Sequence, residues 1–339
     1  MNNLIVINTS LDPWFNLALE EYLLDKVTDY GNILFLWQNA NTVVIGKNQN
    51  PWRECRSELL EAEGGKLARR STGGGAVYHD LGNLNFSFIL ARSNQDFNLQ
   101  ARIITQAVKK FGIEAYVNGR NDIVTDEGKF SGNAFTYRKN RALHHGTILV
   151  DVNREKLGRY LQVSKEKMEA KGIKSVQSRI VNLKEYNNTI TIDEVRKRII
   201  EAFIKEFGEY AVLNQFENEN ILDQNFDISE VNRLYEIYSS WEFRYAEAPK
   251  FDIEWTNRFS WGEVVIHLTL KNGVIVKSMI YSDALDEMFI SSIQQCFNNV
   301  PFKKEEMANA VLKGNKSCPV NPDSPMAKDI AEYILSKEM

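Results

Sequence analysis

Three consecutive glycines, Gly73, Gly74 and Gly75, lie in the stretch RRSTGGGAVYHDLGNLNFSF between Arg69 and Phe88. Glycine loses more conformational freedom on folding than any other residue. A run of three therefore marks backbone that turns sharply or lies close to a ligand. The residues after it, AVYHDLGNLNFSFIL, are strand-like rather than helical. The run thus lacks the Gly-Lys-Ser/Thr of a P-loop and the strand-before, helix-after setting of a dinucleotide fingerprint. Backbone N–H groups in such a loop still form an anion-binding concavity, and Arg69 and Arg70 just upstream suit bidentate contacts to phosphate or carboxylate. Read alone, the stretch is equally a glycine-rich hairpin beside two solvated arginines.

The surrounding pattern is α+β. LDPWFNLALEEYLLDKV has Asp12 to cap a helix, Pro13 at its first position and apolar residues at helical spacing, which predicts an amphipathic helix. NILFLWQN and TVVIGKN read as strands, and DFNLQARIITQAVKKFG as a second helix ended by Gly112. Short strands then turn at Asn118-Gly119 and Glu127-Gly128. Two more helices lead to RYAEAPKFD, where Pro249 breaks the pattern. Beyond it come further strands, a hairpin at Asn272-Gly273 and helices. We expect a catalytic domain over 1–245 with a mostly antiparallel or mixed sheet, and a small α+β domain over 250–339.

Bulk properties narrow the function classes. A net charge of −4 excludes a globally basic nucleic-acid binder. No apolar run reaches the roughly 20 residues of a membrane span, and the N-terminus has no signal-peptide pattern. Cys55, Cys296 and Cys318 are few, odd in number and far apart, which suits a reduced cytoplasmic setting.

Polar residues embedded in the strand-like runs point to a pocket. GRNDIV carries Asn121 and Asp122, GKFSGNAF carries Lys129, and LHHGTILV carries His144 and His145. Each has a bland reading: a turn cap, an exposed strand lysine, core histidines. Together and in this order, RRSTGGGAVYHDLGN, GRNDIV, GKFSGNAF, HHGTILVDVN and KGIKSVQSRIVNL resemble the lipoate–protein ligases of the two-domain bacterial type. The tail FRYAEAPKFDIEWTNRFSWGEVVIHLTLKNGVI resembles that family's accessory domain.

The resemblance implies the α+β catalytic fold shared with biotin ligases and octanoyltransferases. It implies that lipoate reacts with ATP to give lipoyl-AMP, and that a lysine of an acceptor protein then takes the lipoyl group. Acceptors would be acyltransferase subunits of 2-oxoacid dehydrogenases or the glycine-cleavage H protein. Joining two anions calls for cationic groups and a divalent ion. Lys129 is then the catalytic residue, bridging the lipoyl carbonyl and the α-phosphate. Arg70 and the segment Gly75, Ala76, Val77 and Tyr78 line the nucleotide, and Asp122 with Asn121 holds Mg²⁺. Gly73, Gly74, Trp37 and Leu17 line the lipoate site. His79 and His145 either orient the acyl group or accept the incoming amine's proton. The basic segment with Lys171, Lys174 and Arg179 becomes a loop covering the adenylate. A monomer is the expected state.

Three rivals stand against this. An octanoyltransferase needs a cysteine nucleophile, whereas Cys55 lies in a helical segment that reads as peripheral. A biotin ligase carries arginine among the glycines, whereas here the arginines precede STGGG. A silent lipoyl-domain binder has no need of Arg70, Asp122 and Lys129 together.

Overall fold

The computed structural model describes residues 3–119, 121–162, 180–208, 210–214, 216–217, 220–221, 227–245, 252–271, 273–316 and 324–337. In chain order its elements begin with β1 (Asn3–Ile7), α1 (Pro13–Lys26), β2 (Asn32–Trp37), β3 (Thr42–Ile45), α2 (Pro51–Glu54), α3 (Ser57–Ala62), β4 (Lys66–Arg69), β5 (Val77–His79), β6 (Asn83–Ala91) and α4 (Phe97–Lys109). Next are β7 (Tyr116–Asn118), β8 (Asp122–Val124), β9 (Lys129–Arg138), β10 (Arg141–Leu149), α5 (Arg154–Tyr160), α6 (Ile192–Phe207), β11 (Tyr210–Asn214), β12 (Phe216–Glu217) and β13 (Asn220–Ile221). Then come α7 (Ile228–Ser239), α8 (Trp241–Tyr245), β14 (Ile253–Phe259), β15 (Gly262–Lys271), β16 (Val274–Ser282), α9 (Glu287–Cys296), α10 (Lys304–Lys316) and α11 (Pro325–Leu335).

They form two compact units. The first takes in Met1–Val44, Trp52–Arg69 and Val77–Arg244; the second takes in Ile45–Pro51, Arg70–Ala76 and Tyr245–Met339.

The first unit is built on an eight-stranded sheet ordered β11-β1-β2-β6-β10-β9-β8-β7. β1 runs parallel to β2 and β11, and the β2-β6-β10-β9-β8-β7 pairings are antiparallel, so the sheet is mixed as expected. One face packs α4 and α6 through Phe86, Phe88, Ile104, Ile199 and Phe203. The other packs α1 and α7 through Phe35, Ile89, Leu17, Leu23 and Val231. Helix starts follow the sequence signals: Asp12 Oδ1 accepts from the N–H of Trp14 (2.9 Å), and Asp96 and Thr191 cap α4 and α6. Gly112 sits at φ +80° just past α4.

Helix α1 departs from its expected amphipathic form. It lies between the sheet and α7 and is buried on most sides, with Asn16 and Glu20 as well as its leucines inside. Four residues apart, these two polar side chains share one face of the helix.

His144 shows what the opposite sheet face demands. It is fully buried, packed against Phe86, Phe88, Phe97 and Phe135, and meets the side-chain amides of Gln100 and Asn133 at 2.8 Å each. Burial first, and His145 second, hold its pKa well below the usual 6.5. The unfolded chain takes up a proton near its ordinary value that native His144 refuses. Its contribution to stability is therefore complete above about pH 6.5 and is lost, by up to about 1.4 kcal/mol per pH unit, as pH falls below that. Denaturant melts between pH 7 and 5 should show the decline while the His144 ring resonance stays neutral. A ring titrating with a midpoint at 6.5 or above contradicts this.

The second unit has its own core. The antiparallel sheet β14-β15-β16 packs α9, α10 and α11 through Val264, Ile266, Leu268, Phe289, Val311 and Ile330. Two segments from far upstream in sequence belong to it. Ser282 donates its N–H to Asn48 O (2.7 Å), Asn48 Nδ2 donates to Glu287 O (3.2 Å), and Gly74 N–H donates to Ala284 O (2.9 Å).

Candidate active site

On the α1 face of the large sheet, the strands place small and polar residues side by side. Trp37 on β2 lies opposite Asn85 on β6, and Asn85 opposite Thr147 on β10. The Thr147 hydroxyl accepts the N–H of Gly132 on β9 (3.2 Å), and Gly132 lies opposite Asp122 on β8. The next row holds Phe35, Ser87, His145 and Ala134. Gly132 and Ala134 leave space over the sheet that larger strand residues would fill.

Lys129 uses that space. A Cβ at Gly132 would stand 2.8 Å from Lys129 Nζ, so the lysine side chain folds closely over this glycine. Lys129 Nζ pairs with Asp122 Oδ1 at 2.7 Å, both side chains being about one-third exposed. Asn121 donates its Nδ2 to Asn133 O (2.6 Å), which leaves its Oδ1 for a ligand. Among the described residues, no group of three His, Cys, Asp or Glu side chains is gathered to hold a metal. One accessible carboxylate suits Mg²⁺, which is held by one or two carboxylates together with substrate phosphates rather than by a protein cage.

At the other end, a chain of hydrogen bonds orients the aromatic residues. Trp37 Nε1–H donates to Ser87 Oγ (3.1 Å), and Ser87 donates to Glu20 Oε1 (2.5 Å). His145 Nδ1 lies 2.9 and 3.0 Å from the Glu20 oxygens, so that nitrogen carries the proton. Glu20 is only 2% exposed. His79 meets Trp37 edge to face at 6.3 Å. Asn8, Asn16 and Asn39 form a relay: Asn8 Nδ2 donates to Asn16 Oδ1, Asn16 Nδ2 to Asn39 Oδ1 (3.0 Å), and Asn39 Nδ2 faces His79 Nδ1 (3.1 Å). In neutral His79 the proton therefore sits on Nε2. Leu17 is buried in the adjoining core.

The glycine loop is held within the second unit. Arg70 donates from Nε to Thr72 Oγ1 (3.0 Å) and from Nη2 to the carbonyls of Gly73 (2.7 Å) and Gly75 (2.8 Å). Gly74 adopts φ +90°. A Cβ on Gly73 would overlap Ala284 O, whereas one on Gly75 would meet nothing within 4 Å. In the first unit, Arg69 donates to the carbonyls of Phe243 and Arg244. Both arginines are buried, which rules out the solvated-arginine hairpin. Val77 and Tyr78 continue into β5, where Tyr78 is buried, donates to Asn41 and packs against Tyr160. Its backbone, not its ring, is what a ligand could reach.

Sequence reasoning missed Glu20, Ser87, Asn39 and Asn16. The one available signal was Asn16 and Glu20 four apart inside an otherwise apolar helix. Lys171, Lys174, Arg179, Pro249 and Cys318, for which the sequence raised expectations, lie outside the described residues. Cys55 is not peripheral. It is buried, and desolvation, reinforced by Glu61, pushes its thiol up to about 12, where it is no nucleophile at neutral pH. Replacing all three cysteines with alanine should leave ligation within a few-fold of wild type. A trapped acyl-enzyme thioester, or lost turnover in a folded cysteine-free protein, would move the chain toward the transferases.

Comparison with known proteins gives the family. A family model described as "Lipoyl protein ligase A/B catalytic domain" matches residues 12–204, and one described as "Bacterial lipoate protein ligase C-terminus" matches 248–330. The lipoate-protein ligase A of Psychrobacter cryohalolentis is 37% identical over 331 residues, 96% of each chain. That of Blochmanniella pennsylvanica is 38% identical over 309 residues, 89% of this chain and 90% of the relative. Among solved structures, P. falciparum LipL1 in complex with lipoate gives a TM-score of 0.84 at 31% identity, covering 99% of this chain and 100% of that one. A lipoate-protein ligase A bound with ATP gives 0.59 at 27%, covering 72% and 98%. A chain from a structural analysis of a bi-partite lipoate protein ligase and its E2 lipoyl domain from Thermoplasma acidophilum gives 0.61 at 26%, covering 74% and 99%. No helix among the described residues is long and apolar enough to cross a membrane. With its catalytic domain, its C-terminal domain and close relatives across nearly its whole length, the chain belongs to the lipoate–protein ligase family.

Proposed function

We propose that the protein activates free lipoate with ATP and passes the lipoyl group to a lysine of an acceptor lipoyl domain. One observation carries this reading: the strip of small residues running from Lys129 over Gly132 toward the Trp37–Ser87–Glu20–His145 cluster. A cation at one end and aromatic groups at the other suit a carboxylate on a long apolar tail. The similar structures solved with lipoate and with ATP support it, as does the naming of an E2 lipoyl domain as belonging with the Thermoplasma ligase.

In the first step a carboxylate oxygen of lipoate attacks the α-phosphorus of ATP, and the bond to the β-phosphate breaks to release pyrophosphate. In the second the acceptor amine attacks the acyl carbon, the bond to the AMP oxygen breaks, and the amine loses a proton. Lys129 faces the charge that develops in both steps and stabilises it as a fixed cation. Asp122, with Asn121 Oδ1, would hold Mg²⁺ against the nucleotide phosphates, supplying further charge neutralisation there. Arg70 acts by fixing the loop whose backbone, from Gly75 to Tyr78, lies along the nucleotide.

His145 stands two residues along β10 from Thr147, about 7 Å at 3.3–3.4 Å per residue. Its bond to Glu20 and the neighbourhood of His79 and Trp37 support a role for the two histidines in orienting the acyl group; the incoming amine's proton passes to one of them or to solvent. Acceptors are acyltransferase subunits of 2-oxoacid dehydrogenases and the glycine-cleavage H protein, met by a cytoplasmic monomer. Incubation with ATP, Mg²⁺, lipoate and acceptor domains, read by mass, tests the reading. A lipoyl adduct that needs all three small components supports it. Transfer from an acyl carrier without ATP, or biotin in place of lipoate, refutes it.

A further inference from the structure

The amide of Asn85 has no role in the two steps just described, yet it lies in the middle of the strip. Asn85 is 2% exposed, between Trp37 on one side and Thr147 and Gly132 on the other, on the face over which Lys129 folds. Its Oδ1 accepts from Asn83 Nδ2 at 2.9 Å. That bond turns its Nδ2 away from Asn83, and among the described residues this buried donor has no partner. Leaving such a group unpaired costs about 1–3 kcal/mol, and nearly all buried polar groups in folded proteins are paired. The unpaired donor is one member of a two-amide pair held in place by the sheet, not a loose surface side chain.

The ligand proposed for this strip leaves little choice of acceptor. The tail of lipoate is hydrocarbon and disulfide, so its strong acceptors are the carboxyl oxygens. Two strand spacings, about 9.5 Å, separate the backbone of Asn85 from that of Gly132, with side chains reaching in from both sides. From this geometry, and resting on the proposed ligase function, we infer that Asn85 is a catalytic residue: its Nδ2–H donates to the acyl oxygen. Lys129 and Asn85 then flank that oxygen, one as a cation and one as a neutral donor. When the acceptor amine adds to the acyl carbon, the oxygen gains a full negative charge, and a preorganised neutral donor contributes most at that moment.

The test uses the full-length protein and chemically prepared lipoyl-adenylate with an acceptor lipoyl domain. Three proteins are compared: wild type, Asn85→Leu, which removes the amide at similar volume, and Asn85→Asp, which keeps the acceptor for Asn83 and loses the donor. Single-turnover transfer should fall on the order of 100-fold in both variants. Binding of lipoate alone, followed by tryptophan fluorescence, should change far less. Leucine removes the unpaired donor but also strips Asn83 Nδ2 of its acceptor, so the melting temperature serves only to show that a variant is folded, and the split between lost transfer and retained lipoate binding carries the assignment. Should Asn85→Leu fold poorly, Asn85→Asp carries the kinetic test. An active wild type with equally active folded variants overturns this assignment alone. A wild type unable to transfer from lipoyl-adenylate overturns the functional reading and this assignment with it.

Discussion

Lys129→Ala should reduce lipoyl-adenylate formation by a factor on the order of 100 to 1,000 in a protein that stays folded. The lysine lies over Gly132 and pairs with Asp122, and no other cationic side chain pairs with that carboxylate among the described residues. The pair is about one-third exposed, so its loss alters stability by no more than about 1 kcal/mol. The chemical effect is larger because the proposed reaction brings a carboxylate to a polyphosphate, and the role proposed for Lys129 is to offset that repulsion. Pyrophosphate release in the presence of lipoate is the direct measurement. Release at near wild-type rate from a folded Lys129→Ala protein would remove the lysine from its assigned role.

Gly73→Ala should impair the same step by a different route. The new methyl group would overlap Ala284 O and stand 2.6 Å from Leu285 O, both backbone atoms that cannot rotate away. Overpacking of this kind costs about 1–3 kcal/mol, and the loop can relieve it by lifting from residues 284 and 285. That breaks the Gly74–Ala284 hydrogen bond and displaces the Gly75–Ala76 backbone. A displacement near 1 Å at a positioning element can lower the rate on the order of 100-fold, here chiefly at limiting ATP. Gly75→Ala is the stability control, since nothing lies within 4 Å of its added Cβ and its φ is not positive. Equal melting temperatures and equal adenylation in wild type and Gly73→Ala would show that the loop does not need this close approach.

Much of the fold was legible because local signals and tertiary structure agree. Asp12, Asp96 and Thr191 cap the helices they precede, and Gly112 follows the helix it ends. Lys129 and Asp122 were legible as charges out of place in apolar strands. Glu20 was not, because its partners Ser87 and His145 lie on sheet strands far along the chain, and no helical spacing shows that the sheet buries this carboxylate. Arg69 and Arg70 read as solvent-facing or ligand-facing. The carbonyls they bind belong to a loop and a helix end whose shapes no periodicity predicts. Asn85 hid in the strand alternation of NLNF, where a polar residue on one face looks like an ordinary solvent side. The partners of the glycine loop lie more than 200 positions downstream, beyond the reach of any local pattern.

That long separation bears on how the protein comes into being on the ribosome. Residues 45–51 and 70–76 emerge early, but the backbone groups that fix them, from Ser282 to Glu287, are made in the last fifth of the chain. At about 5–20 residues per second, the interval is on the order of ten seconds or more. Throughout that time the nascent chain can complete the large sheet and the strip beneath Lys129, while the glycine loop has nothing to rest on. A ribosome that stalls or terminates before residue 282 therefore releases a chain with the sheet's cation in place but its glycine loop unshaped. Completion of synthesis itself becomes the event that shapes the loop, and a truncated product keeps the sheet's share of the candidate site without the loop's.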